Sequence, residues 1–190
     1  MRRTHPGQRG AVMVETLIVA PLLLMLVLGG IEVGMIVKDL QTAVGAARSA
    51  ARVVSSASDT RLADFDAIAS LQASLHEIDP ADIVSITIFK ARPDGSMLPA
   101  CAAGSINNNC NVYDGATFLA LTTADFPGSS CAPGDPDDAW CPTDRESDLA
   151  DDPDWIGVRV VIHHDSVAPF LGDRTVSDVA VMRLEPRLGP

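Results

Sequence analysis

The distribution of apolar residues divides the chain into a strongly apolar first third and a remainder in which apolar and polar residues alternate in shorter patterns. Residues 11–37 are almost wholly apolar and carry two charges, Glu15 and Glu32. The uncharged run 16–31 would span about 24 Å as a helix, which is shorter than a hydrocarbon core of about 30 Å. A helix that begins at Ala11 has the required length. The pattern therefore predicts a membrane-spanning helix that begins at Ala11.

The same helical periodicity continues beyond the membrane segment. Leu40, Val44, Ala47, Ala51 and Val54 recur at alternating spacings of four and three residues, and charged residues occupy the other faces. Such a seam is typical of a helix that packs along one side. We expect one helix over residues 11–57, ended by the serine-rich run 55–59. Its seam would pack on the chain's own domain or on neighbouring subunits.

The remaining residues, 58–190, combine helix and strand patterns. Apolar residues at helical spacing predict an amphipathic helix over 62–78, which Asp79-Pro80 would end. Alternation predicts strands over 83–89, 155–163 and 176–184, the last two joined by a connection containing Pro169. Residues 98–153 are expected to be irregular apart from a short element at 116–122. The predicted fold class is α+β: a long N-terminal helix that extends into a small domain with an antiparallel sheet and a second helix.

Four cysteines lie in the acidic, loop-like region 98–154 and bring a structural constraint with them. An even number of cysteines beyond a membrane segment predicts disulfides in an oxidising compartment. Three pairings are possible; we favour Cys101–Cys110 and Cys131–Cys141, because the short loops between them keep each pair close. The chain has no C-x-x-C motif and no histidine near these cysteines, so their spacing does not indicate a zinc site.

Charge decides the orientation and excludes one class of partner. The formal net charge is −11, and removing Arg2, Arg3 and Arg9 with a leader would make it −14 (−11 minus 3). So acidic a chain repels nucleic acid, so we expect no nucleic-acid partner. The basic residues before the apolar run predict a cytoplasmic N-terminus, an inner-membrane helix and a periplasmic or extracellular domain.

Glu15 is the most unusual residue of the apolar run. A carboxylate at the edge of a bilayer costs a few kcal/mol unless it finds a partner, which indicates a functional role. Cutting after Gly10 would create such a partner, the amine of Ala11. Residues 1–10 would then be a leader peptide. A secretory signal peptide is the alternative, but the small residues after the apolar core form no A-x-A cleavage pattern.

Three further residues of the apolar run could shape its packing. Pro21 removes one backbone hydrogen bond and is expected to kink or loosen the helix. Gly30 and Gly34 form a G-x-x-x-G pair that permits close approach between helices, although glycine is also generally common in membrane helices.

Two polar clusters remain as candidate metal sites. Residues 135–154 hold nine acids, which could bind calcium or form a solvated loop; they lack the EF-hand pattern, which favours the loop. His163-His164-Asp165 resembles a ligand set, but neighbouring strand residues point to opposite faces, so one ring should be half buried instead. No nucleophile elbow, P-loop or dinucleotide motif is present. We therefore predict no catalytic site, no cofactor and no metal.

The N-terminal block resembles a known family. Glycine, a glutamate five residues later, Ala-Pro and a glycine-glutamate-glycine region occur in order, and they resemble the TadE-like family of tight-adherence pilus proteins. The matching segments are 9–16 (RGAVMVET), 19–24 (VAPLLL), 30–34 (GIEVG), 40–43 (LQTA), 46–52 (AARSAAR) and 179–183 (VAVMR).

The resemblance implies a pseudopilin or minor pilin-like subunit in pilus assembly. It implies a membrane prepilin peptidase that cleaves after Gly10, a role for Glu15 in processing and assembly, and partners among other pilin subunits, the assembly machinery and the lipid bilayer. The alternative is a single-pass membrane protein whose outer domain binds calcium or another ligand and never enters a fibre.

Overall fold

The computed structural model describes residues 7–167 and 171–186. Arg2 and Arg3 of the predicted leader, and Pro169 of the predicted connection, lie outside these ranges. The fold confirms the α+β prediction: a long helix, a shorter one and an antiparallel sheet. The elements are α1 (Gly7–Ala57), α2 (Ala63–Ser74), β1 (Ile83–Ala91), α3 (Pro99–Ala102), β2 (Cys110–Asp114), α4 (Gly115–Phe118), β3 (Trp155–His164) and β4 (Arg174–Arg183).

Helix α1 has two halves with opposite surroundings. Its most apolar 18-residue window has a mean hydropathy of 2.4, and no part of that window is buried. It is the one helix among the described residues that is long and apolar enough to cross a membrane, and it continues through Pro21. The second half is packed; its almost fully buried side chains are Ala43, Ala46, Ala47, Ala50, Ala51 and Val54.

The second half of α1 packs on the chain's own domain. Its alanines join one core with α2 and the sheet, because small side chains allow the backbones to approach closely. Leu40 is 40 % exposed, so the buried seam begins at Ala43 rather than at residue 40. The helix ends at Ala57, where the sequence predicts, and Ser58 follows with a positive φ of 58°.

The sheet has four strands in the order β2-β1-β3-β4, and all neighbours are antiparallel. Alternation places Ile86 and Ile88 of β1 beside Val160 and Val158 of β3 on the face that packs against the helices. This face and the alanines of α1 form the main core. The predicted strands are confirmed, with small differences at their ends.

The opposite face of the sheet carries a smaller core. Phe89 packs there with the buried Cys101 and Cys110. Its ring covers Gly157, which lies directly across in β3; a Cβ at that glycine would be 2.2 Å from the Cζ of Phe89. Gly157 is therefore required by the close approach of this ring.

Two of the predicted boundaries were wrong. Residues 98–153 are not irregular throughout, because β2 pairs with β1 there and extends the sheet. The second helix ends at Ser74 instead of Ile78. Beyond it, the amide of Ile78 bonds to the carbonyl of Leu75 in a tighter turn, and Pro80 disfavours helical geometry at the residue before it.

Candidate functional site

The predicted processing segment lies at the start of α1. The helix begins at Gly7, so the bond between Gly10 and Ala11 is close to its N-terminus. Glu15 is exposed on the helix surface. It borders a shallow, mainly apolar groove formed with Thr16, Val19, Ala20 and Leu23. The structure thus presents this carboxylate outward, on a surface that lipid or another helix can reach.

Gly30 and Gly34 also face outward. A methyl group added to either glycine would meet no atom within 4 Å. The predicted G-x-x-x-G surface is therefore open toward the described residues 7–167 and 171–186, none of which uses the close approach that these glycines permit.

A buried polar cluster joins α1 to the end of β3. Ile162 faces the helices, and strand alternation places His164, two residues later, on the same side of the sheet. His163 points to the other side and pairs with Asp165 at 3.1 Å. On α1, Glu32 and Asp39 are seven residues apart and share a helix face. We call the three side chains Glu32, Asp39 and His164 the junction cluster.

Each ring nitrogen of His164 faces a carboxylate in the junction cluster. Nδ1 lies 2.6 Å from Oδ2 of Asp39, and Nε2 lies 3.1 Å from Oε1 of Glu32. The second Glu32 oxygen accepts the backbone amide of Val167 at 3.1 Å. The side chains of Glu32 and His164 are 2 % and 3 % exposed, so these contacts are shielded from water.

The surroundings of His164 push its pKa in two directions. Burial lowers the pKa, but the hydrogen bonds and charges of Asp39 and Glu32 outweigh burial, and the net pKa is raised above 6.5. The prediction that the two histidines point to opposite faces agrees with the structure, in which His164 is buried and His163 is half-buried. The attachment of His164 to α1 could not be read from the sequence.

Two buried arginines hold the acidic loop on the domain. Arg61 donates from Nη1 to Asp137 at 2.6 Å and from Nη2 to Asp135 at 2.7 Å. Arg145 donates to Asp64 at 2.6 Å, and both side chains are fully buried. Asp135 and Asp137 therefore do not form a freely solvated loop, and the arginine bound to Oδ2 of each disfavours a calcium ion there.

Asp64, which pairs with Arg145, also binds two uncharged donors. Its other oxygen, Oδ2, accepts Nδ2 of Asn111 at 2.8 Å and the hydroxyl of Tyr113 at 2.9 Å. The guanidinium of Arg145 stacks over the Trp140 ring, 4.2 Å from its centroid. This network fixes α2, β2 and the loop to one another.

Several other acids of the loop have structural partners. Asp154 pairs with Lys90 of β1 at 2.6 Å, and Asp152 pairs with Arg183 at the end of β4. Asp138 accepts the amide of Gly134 at 2.7 Å. The charge of this region is largely used to fold it, which disfavours the alternative of a calcium-binding domain.

The cysteines lie in the two pairs that we favoured from their spacing. Cα atoms are 5.9 Å apart in Cys101–Cys110 and 5.8 Å apart in Cys131–Cys141. Cys101–Cys110 closes the loop that leads into β2, and Cys131–Cys141 closes the loop that carries Asp135 and Asp137. Both pairs stabilise segments that have little regular structure.

Comparison with known proteins supports the N-terminal resemblance. The model of the TadE-like protein family matches residues 10–52, about a quarter of the chain. No curated protein and no solved structure shows significant similarity to this chain. The matched residues lie within α1, both in its exposed apolar part and in the part packed on the domain. The chain therefore carries a TadE-like segment in its N-terminal helix, as its motifs predict, and this supports a general association with tight-adherence pili.

Proposed function

We propose that this protein is a pseudopilin or minor pilin-like subunit that takes part in assembling a tight-adherence pilus. The observation that carries the proposal is α1: TadE-like residues 10–52 lie in one helix, unpacked at its start and built into the domain core at its end. Such a helix can exchange lipid for contacts with similar helices while it stays firmly attached to its domain.

The exposed surface of α1 is too apolar for water. Seventeen large apolar side chains between residues 12 and 37 are exposed. Soluble monomers rarely expose a contiguous apolar patch larger than a few hundred Å². In a single-pass membrane protein, lipid covers this surface; in a fibre, the helices of neighbouring subunits would cover it, with Gly30 and Gly34 permitting the closest approach.

Processing would precede assembly. In this proposal the N-terminus is cytoplasmic and a membrane prepilin peptidase cuts between Gly10 and Ala11. The bond lies near the start of α1, where the first amides have no partner within the helix and the backbone unwinds most easily. Cleavage leaves a charged amine on Ala11 at the inner edge of the bilayer.

Glu15 would use that amine. The two residues are four apart and lie on the same helical face, so Glu15 can pair with its own amine or with that of a neighbouring subunit. In a low-dielectric setting the pair is strong and an unpaired charge is costly. The favoured arrangement therefore brings subunits together with a fixed axial stagger.

The Glu15→Gln variant tests this role, because it keeps the size of the side chain and removes its charge. We expect normal membrane insertion but impaired processing or impaired incorporation into pili. Glu185→Gln, at an exposed residue of the soluble domain, is the matched control and should behave as the wild type. If the Glu15 variant is processed and co-purifies with pili at wild-type levels, Glu15 has no assembly role.

A further inference from the structure

The junction cluster is placed where the apolar part of α1 ends. Glu32 is the first charged residue after the uncharged run of the helix, yet its side chain is buried against the domain rather than exposed. Its partners belong to distant parts of the chain: His164 and Val167 are 132 and 135 residues away in sequence. The contact therefore fastens the membrane-exit segment of α1, residues 32–39, to the end of β3.

The number of protons on the His164 ring follows from the hydrogen-bonding groups that face its two nitrogens. An ionised carboxylate only accepts, and a neutral imidazole has one N–H and one lone pair. With carboxylate oxygens at 2.6 Å and 3.1 Å from its two nitrogens, a neutral His164 would turn a lone pair toward one of them. An imidazolium satisfies both contacts, and charged hydrogen bonds are stronger than neutral ones.

We propose that the junction cluster is a proton-dependent clamp: His164 with both ring nitrogens protonated holds the soluble domain against residues 32–39 of α1, and loss of one proton weakens that attachment. The clamp requires no pilus and acts within one chain, so it stands or falls separately from the proposed function.

The charges around the clamp favour the protonated ring. Those that line or border it on α1, the segment before β1, and β3 and β4 are Lys38, Glu77, Asp79, Asp82, His163, Asp165, Asp173 and Arg174. Carboxylates outnumber the bases in this group. Burial, followed by the neighbouring charges of Asp165 and Asp79, raises the pKa of Asp82, which is the expected effect of such an acidic pocket.

The direction of the pH effect follows from the raised pKa of His164. A histidine whose pKa is higher in the folded protein stabilises the fold fully below its unfolded value of 6.5. That contribution disappears as the pH rises from 6.5 through the higher, folded pKa. The clamp is therefore closed in mildly acidic surroundings and weakens in alkaline ones.

The protonation state can be read directly by nitrogen-15 NMR of histidine-labelled full-length protein in nanodiscs. At about pH 6, below the ordinary pKa of histidine, we expect both ring nitrogens of His164 to show shifts of protonated nitrogens. The signals are assigned by their loss in His164→Gln or, if that variant does not fold, from a protein in which the other three histidines are replaced. One unprotonated ring nitrogen at that pH would overturn the proposal.

Hydrogen exchange tests the attachment itself. At about pH 7, His164→Gln should raise the exchange of peptides covering residues 28–40 and 155–167 by about tenfold, the change expected for losing a hydrogen bond to a charged group. His163→Gln is the matched control, since this neighbouring ring is half-buried and contacts Asp165 instead of α1. Equal exchange in wild type and a folded His164 variant would show that no clamp exists.

Discussion

The buried pair of Arg145 and Asp64 gives the sharpest test of how the acidic loop is held. Arg145→Met keeps an unbranched side chain that can still cover Trp140, but it removes the charge beside Asp64. The carboxylate of Asp64 then stays fully buried, and in the part of the chain that the structure describes only Asn111 and Tyr113 remain as its donors. Leaving one charge of a buried pair unpaired costs about 3–5 kcal/mol.

The second substitution shows why the loss occurs. Asp64→Asn in the Arg145→Met background keeps an oxygen that accepts both Asn111 and Tyr113, and it removes the stranded charge. In the wild type, Nε and Nη1 of Arg145 have no hydrogen-bond partner among the described residues, so the original pair is not ideal. The double variant should therefore recover most of the loss, to within about 1–2 kcal/mol of wild type.

The assay uses the two tryptophans of the chain, Trp140 and Trp155, both of which lie in the soluble domain. Denaturant unfolding of the full-length protein in nanodiscs, followed by tryptophan fluorescence, therefore reports on that domain. Arg92→Met, at an exposed turn residue, is the control and should change the free energy of unfolding by less than about 0.5 kcal/mol. A loss below about 1 kcal/mol in Arg145→Met, or a double variant no more stable than the single one, would refute the reasoning.

Three further predictions concern the sheet, the loop and one disulfide. Gly157→Ala should destabilise the domain by about 1–3 kcal/mol because its Cβ would overlap the Phe89 ring, and Phe89→Leu in the same chain should relieve part of that loss in denaturant unfolding. Burial and the charge of a neighbouring carboxylate raise the pKa of Asp137 to about 6 from 3.8, so its contribution to stability falls as the pH rises through this range. Relative to wild type, Asp137→Asn should therefore gain roughly 2–3 kcal/mol between about pH 4 and pH 7, and parallel stability–pH curves would contradict this. Peptide mapping without reductant should recover Cys101 linked to Cys110, and removing this link should cost about 2–3 kcal/mol; a link from either cysteine to the other pair would contradict the assignment.

The elements with strong periodicity could be predicted from the sequence. The end of α1 at Ala57 follows from the serine-rich run 55–59, and the strands β1, β3 and β4 follow from alternation over seven to nine residues. Strand β2 has five residues and lies among turn-forming residues, so alternation alone did not identify it. Its place in the sheet depends on pairing with β1, which is a tertiary contact.

The polar contacts were beyond the reach of sequence patterns for the same reason. Arg61 is 74 and 76 residues from Asp135 and Asp137, and nothing local marks them as partners. An acidic run whose one base is Arg145 therefore predicts a solvated loop from the sequence alone. Glu32 and His164 are similarly brought into contact only when β3 packs on α1. The outward-facing Glu15, in contrast, could be identified from local sequence, because its environment is set by the helix itself.

The mature N-terminus tests the central claim most directly. The protein is purified from cells that contain a prepilin peptidase, and its N-terminal peptide is identified by mass spectrometry. We predict a chain that begins at Ala11, and a longer, membrane-bound precursor for Gly10→Leu but not for the control Gly7→Leu. A native protein that retains Met1 in such cells would contradict the pseudopilin proposal and favour a single-pass membrane protein that never enters a fibre.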